Sequence, residues 1–220
     1  MGCVMERCGL AVLMVLGGWA HAGAEPVANI RAIVRVYNAF GVSGRDLAKA
    51  QATASEIFAA GGIDIQWRVC PSRHSGGDVA QDPCANPLGD VEVSMRLVRG
   101  DRRHEDRDVL GVSMIDTVRH TGSLASVFPD RVSDMALRAR VPYATLLGRA
   151  FAHEVGHLFL GTSAHSSRGV MRPRWTLSVL RTHAVDDWLF SRGDAVRLAL
   201  ALRSRTASSQ APTLAAMILP

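Results

Sequence analysis

The residues best suited to chemistry form one short stretch, H-E-V-G-H, from His153 to His157. On an α-helix with about 100° and about 1.5 Å per residue, the two histidines lie about 40° apart around the axis and about 6 Å apart along it. Two imidazoles in this arrangement can converge on one metal ion. Glu154 lies on the flank of the same face, where it can reach a water molecule on that ion. The spacing therefore predicts a metal centre with a carboxylate base beside it.

The chemistry expected of this pattern is hydrolysis. In H-E-x-x-H sequences the two histidines bind zinc and the glutamate is the general base. A zinc ion lowers the pKa of water from about 15.7 to about 7 and polarises carbonyl groups. Glu154 would take the proton of the activated water and pass it to the leaving amine. We therefore expect one catalytic Zn²⁺ and peptide hydrolysis. The alternatives are hydrolysis of a non-peptide amide and a non-catalytic binding protein, and the intact Glu154 argues against the latter.

The surrounding sequence predicts the helix that must position the histidines. The apolar residues that fall within about 80° of one another on a helical wheel are Leu147, Phe151, Val155 and Leu158. This stripe would pack on a sheet, so the histidines would face a cleft. Pro142 suits the first turn of the helix and Gly161 suits its end.

Other segments predict a sheet and two further helices. Alternating or β-branched segments predict strands over 30–37, 63–69, 91–98, 109–118 and 124–128. Ser43 is a good N-cap for a helix over 44–60, and a last amphipathic helix starts at Ser191. The segment 130–140 is interpreted as a polar connection.

The N-terminus has the pattern of a secretory signal peptide. A short basic region ends at Arg7, an apolar stretch covers 8–20, and A-x-A cleavage sites lie at 20–22 and 22–24. We therefore expect a signal peptide over 1–24, a secreted or periplasmic protein, and no membrane span in the mature chain. The folded domain is expected over 25–205, with a disordered tail over 206–220.

Export also predicts the state of the cysteines. Cys70 and Cys84 are the two that remain after cleavage, and two cysteines in an oxidising compartment are expected to form a disulfide. Closing a loop of this size stabilises a fold by about 3 kcal/mol in the chain-entropy model. The alternative is a latency switch in which one of these thiols binds the metal.

The charge pattern bears on the partners. The net charge of +5 comes from 25 basic and 20 acidic residues, and Lys49 is the only lysine. Because no run of like charge is present, nucleic acid is not an expected partner. The expected partner is a protein or peptide substrate. No zymogen segment is predicted between the leader and the first strand, which favours narrow specificity or control by an inhibitory partner. The oligomeric state is not predicted.

Residues downstream of the histidine pair resemble a known family. The dipeptide His165-Ser166 and the tripeptide Gly169-Val170-Met171 follow H-E-V-G-H. Together they resemble the metzincins, a clan of zincin metallopeptidases with the motif H-E-x-x-H-x-x-G-x-x-H and a Met-turn. The resemblance implies an α+β fold in which a zincin-like twisted mixed sheet packs on the active-site helix, with a small C-terminal helical subdomain. It also implies a substrate cleft along an antiparallel edge strand and Met171 beneath the metal; a role as core filler is the alternative for Met171.

The spacing departs from the metzincin motif and leaves the third zinc ligand open. Gly161 and His165 stand one and two residues later than in the motif, and Ser163 occupies the position of the third ligand. Zincins with a downstream glutamate ligand are excluded because no glutamate follows Glu154. His165 is the nearest candidate and is our expected third ligand, since three protein ligands plus water make a catalytic site. The alternatives are His183, Asp186 and Asp187.

The residue that stabilises the oxyanion is not identified by the sequence. Some metzincins have a tyrosine after the Met-turn. Here Tyr37 and Tyr143 are the only tyrosines, and both precede the H-E-V-G-H segment. The candidates to replace it are Arg172, Arg174 and His183.

Overall fold

The fold is built on a mixed sheet of five strands, which confirms the predicted α+β class. The computed structural model describes residues 30–71, 83–100, 107–182 and 184–210, so the expected signal peptide lies outside the described residues. The strands are β1 (Ile30–Asn38), β2 (Ile63–Cys70), β3 (Glu92–Leu97), β4 (Gly111–Asp116) and β5 (Thr121–Val127). Their order in the sheet is β2-β1-β3-β5-β4. The pairs are parallel except β4 with β5, so β4 is an antiparallel outer strand.

The alternation in β1 separates two faces of the sheet. Ala32, Val34 and Val36 are fully buried on the face that packs against the helices, as a period of two requires. Arg35 lies on the opposite face. The buried face and the helices together form one hydrophobic core.

The described residues form five α-helices beside the sheet: α1 (Gly44–Ala59), α2 (Pro129–Ala139), α3 (Tyr143–Leu160), α4 (Leu177–Leu180) and α5 (Arg192–Gln210). Helix α1 starts at the predicted N-cap, where the Ser43 hydroxyl accepts a hydrogen bond from the backbone N–H of Asp46. Helices α1 and α3 approach closely at Gly148, since a Cβ there would lie 2.4 Å from the carbonyl oxygen of Ala50. This contact fixes the position of the helix that carries H-E-V-G-H.

Our interpretation of 130–140 as a polar connection is wrong, because this segment lies in helix α2. Pro129 occupies the first turn, where proline is tolerated. The buried apolar residues recur at helical spacing and are Val132, Met135, Ala136 and Ala139. Charged residues between them give the segment its polar composition and obscure this spacing. Arg140 ends the helix in the left-handed conformation, with φ 57°.

Helix α5 continues into the segment expected to be a disordered tail. It ends at Gln210, so residues 206–210 are helical, and residues 211–220 lie outside the described residues. Thr206 donates a hydrogen bond from its hydroxyl to the carbonyl oxygen of Leu202, and Arg205 donates one to the carbonyl oxygen of Leu158 on α3. The Thr206 bond lies within α5, and the Arg205 bond holds the end of α5 to α3. Among the described residues, no helix has the length and apolar character needed to span a membrane.

The face of the sheet opposite the helices carries a buried ion pair beside a disulfide. Cys70 and Cys84 are bonded, with Cα atoms 5.9 Å apart, so neither thiol is available to a metal. Arg35 binds both carboxylate oxygens of Glu92 at 2.7 Å and also donates to the carbonyl oxygen of Cys84 at 3.1 Å. Arg68 adds a second guanidinium at 2.9 Å from Glu92. The hydrogen bond from Arg35 lowers the pKa of Glu92.

Candidate metal centre and active site

Helix α3 carries the first two histidines and ends at the predicted residue. Phe151 and Val155 are fully buried on its apolar side. Gly161 ends the helix in the left-handed conformation, with φ +62°, and its N–H donates to the carbonyl oxygen of His157 at 2.9 Å. A Cβ at Gly161 would lie 1.9 Å from the backbone oxygen of His120 in the β4–β5 turn. Only glycine fits this position, and the chain then turns back toward the histidines.

Three imidazole nitrogens meet beside α3. Nε2 of His157 lies 3.1 Å from Nε2 of His153 and 3.3 Å from Nε2 of His165, and one ring nitrogen from each lies within 4.8 Å of the others. Two nitrogens that bind one tetrahedral zinc ion at about 2.05 Å are separated by about 3.3 Å. Both the donor set and its spacing therefore fit a zinc ion.

Backbone carbonyls orient two of these rings. Nδ1 of His153 lies 2.8 Å from the oxygen of Val170, and Nδ1 of His157 lies 2.8 Å from the oxygen of Thr162. A carbonyl oxygen only accepts hydrogen bonds, so Nδ1 carries the proton in both rings. Nε2 then keeps its lone pair, as in metal-binding histidines whose other ring nitrogen donates a hydrogen bond to the protein.

The histidines are held in the neutral form that binds metal. Burial, together with the charge of His157, lowers the pKa of His153 to about 3. Burial also lowers the pKa of His157 and of His165. No proton has to be displaced from these Nε2 atoms at neutral pH, which favours metal binding.

The loop that carries His165 is tied to helix α5. The N–H of Ser166 donates to the carbonyl oxygen of Met171 at 2.9 Å, and its hydroxyl donates to Oδ2 of Asp194 at 2.7 Å. Asp194 is 1% exposed and also binds Ser191, the residue before α5. The C-terminal helix therefore fixes the residue next to the third histidine.

The alternative third ligands lie elsewhere or outside the described residues. Asp187 accepts hydrogen bonds from Arg172 and from the hydroxyl of Thr182, both at 3.2 Å. Asp186 is exposed. Neither aspartate belongs to the cluster of potential ligands found among the described residues, and His183 is not one of those residues.

Met171 packs against the helix that carries the first two histidines. It is 1% exposed, and a Cβ on Gly156 would lie 2.7 Å from its sulfur. The absence of a side chain at Gly156 allows this contact. Met171 thus lies against α3, and its role beneath a metal ion stays a prediction.

Glu154 is enclosed between α3 and strand β4. It is 6% exposed, and its Oε2 lies 2.6 Å from the hydroxyl oxygen of Ser113. Its other carboxylate oxygen faces Gly111, where a Cβ would lie 2.7 Å from Oε1. Burial raises the pKa of Glu154 to about 7, and the hydrogen bond from Ser113 opposes this shift. A carboxyl group with such a pKa is suited to both accepting and returning a proton near neutral pH.

A cleft of about 470 Å³ contains the three histidines and Glu154. One wall is strand β4, as the resemblance implies, and the other is the segment 172–176. Trp175 in the second wall contacts the ring of His153 edge-on, with centroids 5.6 Å apart. The cleft therefore lies along the outer strand of the sheet.

Two of the oxyanion candidates line this cleft. Arg172 is paired with Asp187 at 3.2 Å, whereas Arg174 is exposed. Tyr37 is directed elsewhere, since its hydroxyl donates to the carbonyl oxygen of Cys84. Tyr143 is not among the cleft-lining residues, and burial raises its pKa to about 12.

Three residues that shape the site were not predicted from the sequence as site residues: Gly111, Ser113 and Asp194. Alternation in β4 predicts that Gly111 and Ser113 lie on the same face of the strand. It does not predict that this face contacts Glu154, because Ser113 and Glu154 are 41 residues apart in the sequence. Asp194 stands three residues after Ser191, a spacing that supports the start of the last helix but does not predict the contact with Ser166.

Comparisons with known proteins give matches among solved structures only. No family model matches the sequence, and no curated protein matches it. Metalloproteinase-II from Bacteroides fragilis matches with a TM-score of 0.53 and 14% identity, over 80% of this chain and 54% of that one. An archaemetzincin from Methanopyrus kandleri matches with a TM-score of 0.48 and 17% identity, over 79% of this chain and 96% of that one. A zinc-dependent peptidase from Methanocorpusculum labreanum matches with a TM-score of 0.47 and 15% identity, over 75% and 99%.

The likeness to metalloproteinase-II concerns the fold. The chain spans about half the length of that protein, and 14% identity carries the backbone arrangement alone. The α+β architecture predicted from the histidine motif is therefore one that this chain shares with a known metalloproteinase.

Proposed function

We propose that the protein is an exported zinc-dependent endopeptidase. The observation that carries this proposal is the convergence of three neutral imidazoles on one point, with a buried carboxyl group of raised pKa on the same helix. His153, His157 and His165 would bind the single zinc ion, and Glu154 would be the general base. Met171 would support the centre from below.

Each residue of the site has a chemical task in this proposal. The bound zinc ion would supply an electrophile that acidifies water and polarises the substrate carbonyl. Glu154 accepts the proton of the attacking water and returns it to the leaving nitrogen. The carbonyls of Val170 and Thr162 keep two imidazoles in the tautomer that leaves Nε2 free.

An extended peptide is the substrate that the cleft suits. Strand β4 is the outer strand and no described strand pairs with its other edge, so this edge offers backbone N–H and C=O groups to another chain. The cleft is lined by residues 108–113 and 115, which form most of β4 and the segment before it. A peptide bound along this edge would extend past the histidines in both directions, which supports cleavage within a chain rather than at its end.

Export is part of the proposal. The leader pattern over 1–24 and the Cys70–Cys84 disulfide both support a secreted or periplasmic location.

The test compares Glu154→Gln with the wild-type protein after zinc loading, on a library of unmodified peptides. We expect the variant to retain zinc and to lose nearly all hydrolysis, since an amide cannot take the proton. Glu56→Gln, which changes an exposed glutamate of α1, is the matched control and should cleave normally. Equal turnover by metal-loaded Glu154→Gln would remove the mechanism. Cleavage of small amides but of no peptide would favour the non-peptide hydrolase, and no turnover by the wild-type protein would favour a binding role.

A further inference from the structure

Among the described residues, Ser113 is the one whose side chain forms a hydrogen bond with the Glu154 carboxylate. Its hydroxyl oxygen lies 2.6 Å from Oε2, a distance typical of hydrogen bonds to charged groups. We propose that Ser113 is a positioning residue for Glu154. By holding Oε2, it fixes the orientation of the carboxylate that must accept a proton from the water molecule. This inference rests on the proposed function, because it assigns a partner to the same general base.

Gly111 restricts the carboxylate from the other side. A Cβ at this position would lie 2.7 Å from Cγ and from Oε1 of Glu154, and 2.8 Å from Cδ. The backbone of β4 is thus a wall in van der Waals contact with the Glu154 side chain. Between this wall and the Ser113 hydroxyl, the carboxylate has one favourable orientation.

Two acceptor oxygens of Glu154 lie within hydrogen-bond distance of the Ser113 hydroxyl. The hydroxyl has one proton, and the backbone oxygen of Glu154 lies 2.9 Å away in addition to Oε2. An ionised carboxylate attracts a hydrogen bond more strongly than a neutral carbonyl does. The contact with Oε2 is also the shorter of the two, so the hydroxyl donates to the carboxylate, and the carbonyl contact keeps the serine rotamer in place.

The position of Ser113 links the base to substrate binding. Ser113 lies in β4, the strand whose free edge would receive the peptide. One strand would then align both the scissile bond and the carboxylate. A change at Ser113 should consequently alter turnover and leave peptide affinity intact, because the backbone edge is unchanged.

The experiment uses three variants of the zinc-loaded protein: Ser113→Ala, Ser113→Thr and Ser126→Ala. Threonine keeps the hydroxyl and is well tolerated in strands. Ser126 is a buried serine of the neighbouring strand whose hydroxyl binds Arg96, so it controls for loss of a serine hydroxyl from the sheet. The readouts are kcat and KM on a cleaved peptide, zinc content, and the orientation of Glu154 in high-resolution crystal structures.

For Ser113→Ala we expect kcat to fall by about tenfold to a hundredfold, with KM and zinc content unchanged. Ser113→Thr should recover most of this loss, and Glu154 should adopt several orientations only in the alanine variant. A kcat within twofold of the wild-type value, or an unmoved Glu154 in Ser113→Ala, would overturn the inference. If the wild-type protein cleaves no peptide, the proposed function fails on its own, and the crystal structures still decide the role of Ser113.

Discussion

Gly161 determines where the third histidine lies. It ends α3 in the left-handed conformation and turns the chain back toward His165. Its Cα also lies against the β4–β5 turn, where a Cβ would meet the carbonyl oxygen of His120 at 1.9 Å. Because the obstacle is backbone, no side-chain rearrangement can relieve it. Gly161 therefore sets both the end of α3 and the distance between α3 and the outer strands.

Replacing Gly161 by alanine should destabilise the protein more than an ordinary left-handed glycine substitution does. Gly62 is the matched control, because it also has a positive φ, +77°, but its added Cβ would meet nothing within 4 Å. We expect Gly62→Ala to cost about 1 kcal/mol from backbone strain. Gly161→Ala should cost at least about 2 kcal/mol more, because of the clash with the backbone. Urea unfolding of both variants measures the difference, and equal losses would contradict this account.

The structure brings predicted site residues together most simply where they are close in sequence. The pair His153 and His157 is fixed by helix geometry alone, so the sequence was sufficient to place it. The closeness of His165 was expected only from a resemblance with altered spacing, and it depends on the turn at Gly161. Ser113 meets Glu154 across 41 residues, a contact that needs the complete sheet and could not be read from local pattern.

Strands β1 and β3 are joined by more than their backbone ladder. Arg35 and Glu92 form a buried pair on the face away from the helices, with side chains 4% and 7% exposed. Arg35 also donates to the carbonyl oxygen of Cys84, which ties the disulfide segment to the centre of the sheet. Removing one partner of a buried pair leaves an uncompensated charge, which costs about 3 kcal/mol or more.

This pair predicts a specific pH dependence of stability. The hydrogen bond from Arg35 lowers the pKa of Glu92 in the folded protein, below its ordinary value of 4.5. The folded state then binds the proton less readily than the unfolded state does. The contribution of ionised Glu92 to the stability of the fold is therefore fully present above about pH 4.5. It is lost as the pH falls through the lowered pKa.

We expect Glu92→Gln to be less stable than the wild-type protein by about 3 kcal/mol at pH 7, with a smaller gap at pH 3. Urea unfolding across this range measures the gap. Asp64→Asn, which breaks the exposed pair with Arg31, is the control and should change little. A gap that stays constant from pH 7 to pH 3 would show that Glu92 has no lowered pKa.

Predictions of secondary structure worked best for elements with a clear period. All five predicted strands exist, because alternation is an immediate consequence of having one buried face. Helix α2 was missed because charged residues separate its buried apolar positions, so composition outweighed spacing. The last turn of α5 was not predicted because it depends on a tertiary contact. Arg205 donates a hydrogen bond to the carbonyl oxygen of Leu158 near the end of α3.

The disulfide and the leader-like sequence over 1–24 lead to one expectation for the whole protein. We expect the exported chain to begin after residue 22 or residue 24 and to contain no free thiol. Intact-mass measurement of secreted protein, with alkylation before and after reduction, tests both points. Retention of residues 1–22, or two alkylated cysteines before reduction, would contradict export as proposed.

The shared fold with metalloproteinase-II, at 14% identity, places the histidines in a known architecture but does not supply the ligands. The ligands follow from residues of this chain, and the measurement that tests them most directly is a zinc titration against a competing chelator. The wild-type protein should bind one zinc ion, and His165→Ala should bind it more than about a hundredfold more weakly. That loss exceeds the effect expected when only a hydrogen-bond partner of a ligand is removed. His183→Ala and Asp186→Ala should bind zinc as the wild-type protein does. Normal zinc binding by His165→Ala, with loss in one of the other two variants, would contradict the three-histidine centre.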